Sequence, residues 1–332
     1  MSILVTGGAG YIGSHMVLNL ADAGESVVVL DNLVTGFDWL VDHRVTFVKG
    51  NVADTDLVAH LIAEHDIDAV IHFAGSVVVP ESVVNPLKYY ANNTAATRTL
   101  IETCVKGGVS HFIFSSTAAV YGMVGLEPVS EDNVLNPVSP YGKSKLMSEW
   151  MLADVAAAHP MTYGVLRYFN VAGADPQMRS GQSTAGATHL IKVAVQTALG
   201  LREKMSVFGD DYPTPDGTCV RDYIHVTDLV AAHALVLDHL RKGGDSVTMN
   251  CGYGRGFSVD AVVKTVKDVT GVDFAVEHGP RRAGDPASIV AGADRIRALG
   301  WQPQFDDLTR IVEMAFAWEK HLGTRNDRPS VF

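Results

Sequence analysis

The chain has 332 residues, of which 47% are hydrophobic and 19% charged, and its formal net charge is −11. This composition is typical of a folded globular protein with one large domain or two, and it excludes an intrinsically disordered chain. The acidic balance argues against nucleic acid or an anionic membrane as a partner.

The first predicted elements are a strand, a glycine-rich turn and a helix. Residues 2–6 form a short apolar strand, Gly7, Gly10 and Gly13 follow with G-x-x-G-x-x-G spacing, and residues 11–23 have the periodicity of a helix. Glycines in such a turn permit a tight bend, a close approach to a pyrophosphate and close helix–strand packing. The amino end of the helix would then face the phosphates, so the pattern predicts a dinucleotide site.

A second predicted strand, residues 26–30, ends at Asp31. A dinucleotide-binding fold needs an acceptor for the adenosine ribose hydroxyls at this position. The carboxylate would also repel an additional phosphate on that ribose, and no arginine follows it directly. The sequence therefore favours NAD over NADP.

Strand and helix patterns continue to alternate up to about residue 170. We predict strands at residues 45–49, 69–73, 111–115 and 162–167, and helices at residues 54–64, 86–106 and after Ser139. This alternation predicts an α/β fold with a doubly wound parallel (Rossmann-type) sheet, in which ligands bind at the carboxyl ends of the strands.

The second half of the chain has a looser pattern. Loops rich in Gly, Pro and Asp separate predicted helices at residues 187–199, 226–240, 258–270 and 307–321. We predict a NAD-binding domain at residues 1–170 and, at residues 171–332, a smaller C-terminal α/β substrate-binding domain from which some chain returns to the first.

The cysteines and the apolar runs bear on location and metal binding. Cys104, Cys219 and Cys251 are odd in number and widely spaced, so they predict neither a disulfide framework nor a zinc site. No apolar run approaches about 18 residues, and the chain opens on a strand pattern without a charged leader. We expect a cytoplasmic protein without a metal and without a membrane partner.

Tyr141 and Lys145 lie one helical turn apart in the segment after Ser139 and Pro140, which suit a helix start. A tyrosine titrates near about 10, and one cation about 4 Å away could lower its pKa by roughly 3 units, about 4 kcal/mol. The pair therefore predicts a general base. The alternative, a surface tyrosine stacked on a lysine stem, is the more common meaning of an isolated match.

With Gly7 to Gly13, Asp31, Thr117 and the Tyr141/Lys145 pair in order, the chain resembles the extended short-chain dehydrogenase/reductase family. Within that family it is most similar to the UDP-glucose 4-epimerases. The motifs that carry this closer resemblance span most of the chain, at residues 112–117, 120–122, 139–147, 166–170, 208–213, 221–225 and 281–282.

The resemblance implies roles for individual residues. Tyr141, Lys145 and Thr117 would be catalytic. NAD would be held by Gly7, Gly10, Tyr11, Ile12, Gly13, Asp31, Asn32, Asn51, Val52, Phe73, Ala74, Gly75, Asn92, Ser115, Tyr141, Lys145 and Tyr168. UDP-glucose or UDP-galactose would contact Thr117, Tyr141, Phe169, Asn170, His189, Leu190, Ser206, Phe208, Arg221, Tyr223, Arg282 and Asp285. The family usually pairs through the helices at 86–106 and after Ser139, which implies a homodimer.

The implied reaction is the reversible epimerisation of UDP-galactose and UDP-glucose at carbon 4. Tyr141 would take the proton of the 4-hydroxyl while carbon 4 gives a hydride to NAD, and the 4-keto sugar would turn before the hydride returns. Lys145 and the cationic nicotinamide would lower the pKa of Tyr141. Thr117 stands where the family usually has a serine, and it keeps the hydroxyl.

Other departures from the family pattern are Asn51 where an aspartate often meets the adenine, Val77 where a lysine is frequent, and His189 where an asparagine is usual. Ile289 falls where family members tune pocket width. These positions leave open an epimerase of another UDP-sugar, an N-acetylhexosamine or a uronate.

Two further alternatives remain. A nucleotide-sugar dehydratase or decarboxylase is disfavoured because dehydratases of this family need an acid/base pair after the Thr117 position. Here Ala118 and Ala119 follow, and neither can transfer a proton. A non-catalytic NAD-binding protein is disfavoured because Thr117, Tyr141 and Lys145 are all present.

Overall fold

The computed structural model describes residues 1–282 and 284–324. The strands, in chain order, are β1 (Ser2–Thr6), β2 (Val27–Asp31), β3 (Thr46–Lys49), β4 (Ile67–His72), β5 (His111–Thr117), β6 (Thr162–Tyr168), β7 (Asn170–Ala172), β8 (Met205–Phe208), β9 (Val220–His225), β10 (Val247–Cys251), β11 (Gly256–Ser258), β12 (Val276–Gly279) and β13 (Ser288–Ile289). The helices are α1 (Tyr11–Asp22), α2 (Thr55–Glu64), α3 (Val79–Val84), α4 (Pro86–Tyr89), α5 (Ala96–Lys106), α6 (Pro140–Ala158), α7 (Leu190–Ala198), α8 (Val226–Arg241), α9 (Val259–Thr270), α10 (Asp294–Ala298) and α11 (Leu308–Thr324).

The main sheet has seven strands in the order β10-β6-β5-β4-β1-β2-β3, and every neighbouring pair is parallel. The chain moves outward from β1 in one direction to β3 and in the other to β10, which is the doubly wound arrangement that the sequence predicts. The predicted fold class is therefore confirmed. All these strands run the same way, so their carboxyl ends lie along one edge.

Helices cover both faces of this sheet, and the strand sequences reflect this. Every residue of β1 and of β2 is buried, as expected when both faces of a parallel strand are covered. Ile3 and Val5 share one hydrophobic cluster with α1 and α8, whereas Leu4 belongs to a second cluster with α2, α5 and α6. Alternate side chains of one strand thus serve two cores.

The predicted single helix at residues 86–106 is interrupted. Between α4 and α5 the residues Tyr90–Ala95 form a π-helical turn. Asn93, inside this turn, is buried, and its side chain accepts a hydrogen bond from the Ser76 N–H (2.7 Å) and donates one to the Ser144 hydroxyl (3.1 Å). A π turn of this kind is typical of functional sites, and hydrophobic periodicity does not reveal it.

The later part of the chain, from β7 onward, forms two small sheets and also returns to the large one. β9 pairs with β7, β11 and β13, and β8 pairs with β12. β10 completes the main sheet beside β6, and α8 packs against α1. The domain boundary at residue 170 stays a prediction. Within the described residues we find no helix with the length and hydrophobicity needed to span a bilayer.

Candidate active site

The glycine turn after β1 is tightly fitted. Gly7 has a φ of 72°, and a Cβ on Gly13 would lie 2.1 Å from the Gly7 carbonyl oxygen. Helix α1 begins directly after Gly10, which has no side chain to cap the first N–H groups. The turn therefore forms a cradle that side chains would fill, with the amino end of a helix facing it, and this fits a pyrophosphate. Tyr11 and Ile12 form the first turn of that helix.

Asp31 lies at the end of β2 and is 8% exposed. Its carboxylate accepts hydrogen bonds from the N–H of Ala9 (3.0 Å) and from the N–H of Leu33 (2.8 Å). It therefore holds the glycine turn, and the remaining lone pairs of its two oxygens are available for ribose hydroxyls. Asn32 beside it is exposed.

Two other predicted cofactor segments follow β3 and β4. After β4 come Phe73, Ala74 and Gly75, and a Cβ on Gly75 would lie 3.0 Å from the Asn93 side-chain oxygen and 3.8 Å from the Lys145 ammonium nitrogen. Other predicted residues lie farther out on the surface: Asn92, whose amide donates to the Ser76 hydroxyl (3.0 Å); Asn51, which accepts from the Ala53 N–H (2.9 Å); and half-buried Val52.

The end of β5 and the start of α6 bring the predicted catalytic residues together. Ser139 caps α6 by accepting from the Gly142 N–H (3.1 Å), and Pro140 opens the helix. The Thr117 hydroxyl is hydrogen-bonded to Tyr141, and the Lys145 ammonium donates to the Ser115 carbonyl (2.9 Å). All three predicted catalytic residues are buried, each less than 10% exposed.

Burial changes the acid–base properties of this pair. Burial raises the pKa of Tyr141, and the hydrogen bond with Thr117 opposes that rise. Burial lowers the pKa of Lys145 to about 8, opposed by the charge of Glu149. Without NAD, burial has the largest effect on the pKa of Tyr141, and the Lys145 ammonium is bonded to the Ser115 carbonyl, so the lowering of the Tyr141 pKa by Lys145 and the nicotinamide stays a prediction. Lowering the pKa of Tyr141 requires a further positive charge beside the phenol.

Tyr168 and Phe169 mark the end of β6 on the same edge. The Tyr168 hydroxyl lies 2.6 Å from the Ser115 hydroxyl, so two residues of the predicted cofactor set are in direct contact. Asn170 follows at the start of β7 and lines a pocket together with Tyr11, His189, Leu190, Lys192 and Tyr223. The Tyr11 hydroxyl donates to the Gly173 carbonyl (2.7 Å), which connects the glycine helix to this pocket.

The remaining predicted substrate residues lie around β8 and β9. Arg221 donates to the carbonyls of Val220 and Pro286 (both 2.9 Å), and its guanidinium is 3.9 Å from the Asp285 carboxylate. The Arg282 guanidinium lies 3.8 Å above the Phe208 ring. Ser206, which is exposed, and Phe208 are two residues apart on β8 and so share one face of that strand. Arg221 and Tyr223 share one face of β9 in the same way, and Tyr223 lines the pocket, so β9 connects this group to the pocket.

Three positions that depart from the family pattern have clear places. Val77 is 53% exposed, His189 is the N-cap of α7, and Ile289 is buried on β13 in register with Arg221. Among the described residues, no group of three or more His, Cys, Asp or Glu could hold a metal ion.

Sequence reasoning missed a buried polar set behind the catalytic residues. Glu149, one turn beyond Lys145, accepts a hydrogen bond from the Ser116 hydroxyl and is paired with Arg167 (2.6 Å). The sequence feature that could have revealed Glu149 is its spacing: it follows Lys145 by four residues, as Lys145 follows Tyr141.

A family model described as the NAD dependent epimerase/dehydratase family matches residues 3–252. The chain belongs to this family. It is 54% identical to a UDP-glucose 4-epimerase of Azospirillum brasilense over 96% of this chain and 92% of that protein.

Solved structures of other epimerases have the same fold. A UDP-glucose 4-epimerase from Bifidobacterium longum, in complex with NAD+ and UDP, aligns with a TM-score of 0.91 at 36% identity, covering 97% of this chain and 98% of that one. The UDP-Glc/GlcNAc 4-epimerase of Campylobacter jejuni aligns with a TM-score of 0.85 at 49% identity, covering 96% and 99%.

The residues of this member of the NAD dependent epimerase/dehydratase family fit the cofactor that the family name specifies. The glycine cradle suits the pyrophosphate and the Asp31 carboxylate suits a ribose. The edge formed by Gly75, Ser115 and Lys145 leads from this cradle to Tyr141.

Proposed function

We propose that the protein is a UDP-glucose 4-epimerase that interconverts UDP-galactose and UDP-glucose with bound NAD. One observation carries this proposal: Thr117, Tyr141 and Lys145 are buried together at the sheet edge, beside the glycine cradle, in a chain 54% identical to such an enzyme. Removing one of these side chains would remove the base (Tyr141), the hydrogen-bond partner of the base (Thr117) or the positive charge near it (Lys145).

The proposed mechanism assigns one step to each side chain. NAD would be held by the glycine cradle and the Asp31 carboxylate, and when bound it would supply a reversible hydride acceptor for carbon 4. Tyr141, in its phenolate form, takes the proton of the 4-hydroxyl as that hydride leaves, and the resulting phenol gives the proton back to the keto oxygen. Thr117 keeps the phenol directed at that oxygen, and Lys145 contributes positive charge beside it.

The nucleotide part of the substrate is assigned to the β8 and β9 group. Arg221 and Arg282 provide guanidinium groups that bind a diphosphate through charge-assisted hydrogen bonds. A firm hold on UDP, with the hexose free to turn, lets the keto sugar present its other face. Arg221 lies on β9 and Arg282 follows β12, whereas Tyr141 lies on α6, and this placement on separate elements supports the division.

The test is incubation of purified protein with UDP-galactose, without added NAD, followed by proton NMR of the anomeric signals. We expect UDP-glucose to appear up to the equilibrium ratio, since NAD is regenerated in each cycle. Parallel incubations with UDP-N-acetylglucosamine and UDP-glucuronate identify an epimerase of another UDP-sugar. A 4-keto-6-deoxy product would indicate a dehydratase, and no conversion would contradict the proposal.

We also infer a homodimer formed through the segment 86–106, which contains α4 and α5, and through α6. These helices pack together, and α4 and α6 leave Leu87 (76%) and Trp150 (57%) exposed. The test is L87E/W150E, with V34E as control because Val34 is also exposed (78%) but lies after β2. Light scattering should give twice 35.6 kDa for the wild type and V34E, and 35.6 kDa for L87E/W150E. A wild-type monomer would contradict the inference.

A cytoplasmic location is the remaining part of the proposal. Cys104, Cys219 and Cys251 are all free and buried, which is the usual state of cysteines in a reducing compartment. Cell fractionation with an antibody to the protein tests this assignment.

A further inference from the structure

Three consecutive residues at the end of β5 bind three residues spaced by one turn along α6. The Ser115 carbonyl accepts from Lys145, the Thr117 hydroxyl is bonded to Tyr141, and between them the Ser116 hydroxyl donates to Glu149. Two of these contacts belong to the proposed catalytic residues. The third places Glu149 in the same buried seam, one turn behind Lys145.

We propose that Glu149 is a positioning residue for Lys145, which keeps the lysine protonated and directed at the end of β5 during the epimerase reaction. This inference rests on the proposed function. Glu149 is 6% exposed and lies four residues after Lys145 on the same helix face, so its carboxylate supplies negative charge close to a buried ammonium. Its contact with Ser116 fixes it to the strand that carries Thr117.

A buried carboxylate needs partners, and Arg167 is the main one. Its guanidinium contacts both Glu149 oxygens, with distances of 2.6 to 3.1 Å, and donates to the Tyr121 hydroxyl (3.1 Å). Tyr121 in turn donates to Asn250 (2.6 Å), whose amide donates to the carbonyl of Val129 (2.8 Å). The carboxylate is thus held from β6 and, through Tyr121 and Asn250, from β10.

The charged and titratable groups around Lys145 define what Glu149 does. His72 on β4 lies beside the lysine, and burial together with the Lys145 charge lowers the pKa of His72 to about 3, which keeps it neutral. In the protein without NAD, burial raises the pKa of Tyr141, so the neutral phenol places no charge beside Lys145. Burial lowers the pKa of Lys145 to about 8, and Glu149 is the group that opposes this.

Farther out, Arg167 contacts Glu149, Tyr121 contacts Arg167, and Glu131 lies beyond Tyr121. Burial acts to lower the pKa of Arg167, but its hydrogen bonds and charge interaction with Glu149 raise it. Glu149 therefore supplies negative charge to two cationic side chains, Lys145 and Arg167. A purely structural role would be to neutralise Arg167, whereas the proposed role acts on Lys145, and an experiment can separate the two.

The decisive variant is E149Q/R167Q, which removes both charges and leaves no unpaired buried ion. E149Q alone is the direct variant, but it leaves Arg167 without its partner and can fail to fold. The control is D68N/R241Q, a double change in the ion pair of β4 with α8, which holds Asp68 and Arg241 3.0 Å apart. Folding of each variant is checked by circular dichroism melts.

The first measurement is the pKa of Lys145, followed by NMR of protein labelled with 13C at lysine and assigned by comparison with K145R. We expect about 8 in the wild type and in D68N/R241Q. In E149Q/R167Q we expect a value lower by roughly one unit, because the nearest carboxylate is gone. This measurement does not depend on turnover, so it tests the inference even if the wild type proves not to be an epimerase.

The second measurement is the pH dependence of kcat and KM with UDP-galactose. For E149Q/R167Q we expect kcat at about pH 8 to fall roughly fivefold, with a gap to wild type that narrows toward about pH 6, where Lys145 is protonated in both. KM should stay within about twofold. An unchanged Lys145 pKa with an unchanged kcat profile would overturn the proposal and leave Glu149 as the counter-ion of Arg167 alone.

Discussion

The sheet edge and the β8–β9 region of this molecule differ in how strongly their predicted site residues are buried and held in place. Thr117, Tyr141 and Lys145 are buried and are tied to one strand end and one helix. Arg282 is exposed on a loop and Ser206 is exposed on β8, in a two-stranded sheet. The difference matches the proposed chemistry, since proton transfer needs fixed geometry, whereas a diphosphate can be held by a few long cationic side chains.

The largest effect is expected from Y141F at the rigid edge. This change removes the proposed base while keeping the ring, and we expect kcat to fall by about a thousandfold, roughly 4 kcal/mol, with little change in melting temperature. The control is Y163F, at a half-buried tyrosine of β6 with no predicted site role. Y141F activity within about tenfold of wild type would show that another group is the base.

The next effect is expected in the glycine cradle. In G13A the new Cβ would lie 2.1 Å from the backbone oxygen of Gly7, so the turn must open. We expect a loss of about 3 kcal/mol in the free energy of unfolding and the loss of co-purifying NAD. G125A is the control, because a Cβ there has nothing within 4 Å. Urea titration and absorbance of the released nucleotide measure both effects.

The sequence could predict those site features whose residues lie close together along the chain. The glycine turn, Asp31 and the Tyr141/Lys145 spacing are local patterns, so each was found from a few neighbouring letters. The Glu149–Arg167 pair was missed because its members are 18 residues apart and meet only when β6 lies beside α6. The direction of the Lys145 ammonium, toward the Ser115 carbonyl, likewise depends on tertiary packing.

Strands in the later half were harder to predict for the same reason. The periodicity after residue 170 predicted helices, and α7, α8, α9 and α11 all exist within a few residues of those bounds. The sequence did not reveal β10 as the last strand of the main sheet, because its partner β6 ends about 80 residues earlier. Short strands in loop-rich segments have little periodicity to detect.

A smaller effect is expected in the β8–β9 region with R282Q. If Arg282 binds the diphosphate equally in ground and transition states, KM should rise about tenfold to thirtyfold, near 2 kcal/mol, while kcat changes little. R255Q is the control, since Arg255 also lies over an aromatic ring, that of Phe257 (5.1 Å). A fall in kcat with constant KM would mean that Arg282 acts mainly in the transition state. The β8–β9 region would then not differ in role from the sheet edge.

The smallest effect concerns acid stability, to which the buried His233 contributes. Its side chain is fully buried on α8, 5.0 Å from the Phe73 ring, and burial lowers its pKa from 6.5 to about 4. Above pH 6.5 the ring is neutral in both folded and unfolded chains. As the pH falls toward 4, only the unfolded chain binds the proton, so stability is lost.

In H233Q this loss should shrink by about 1 kcal/mol between about pH 6.5 and 5.5, because glutamine binds no proton in that interval. The matched variant H43Q changes a histidine whose side chain is 94% exposed, and we expect it to follow the wild type. The measurement is urea unfolding at each pH. Equal slopes for H233Q and wild type would mean that the acid lability arises from other groups.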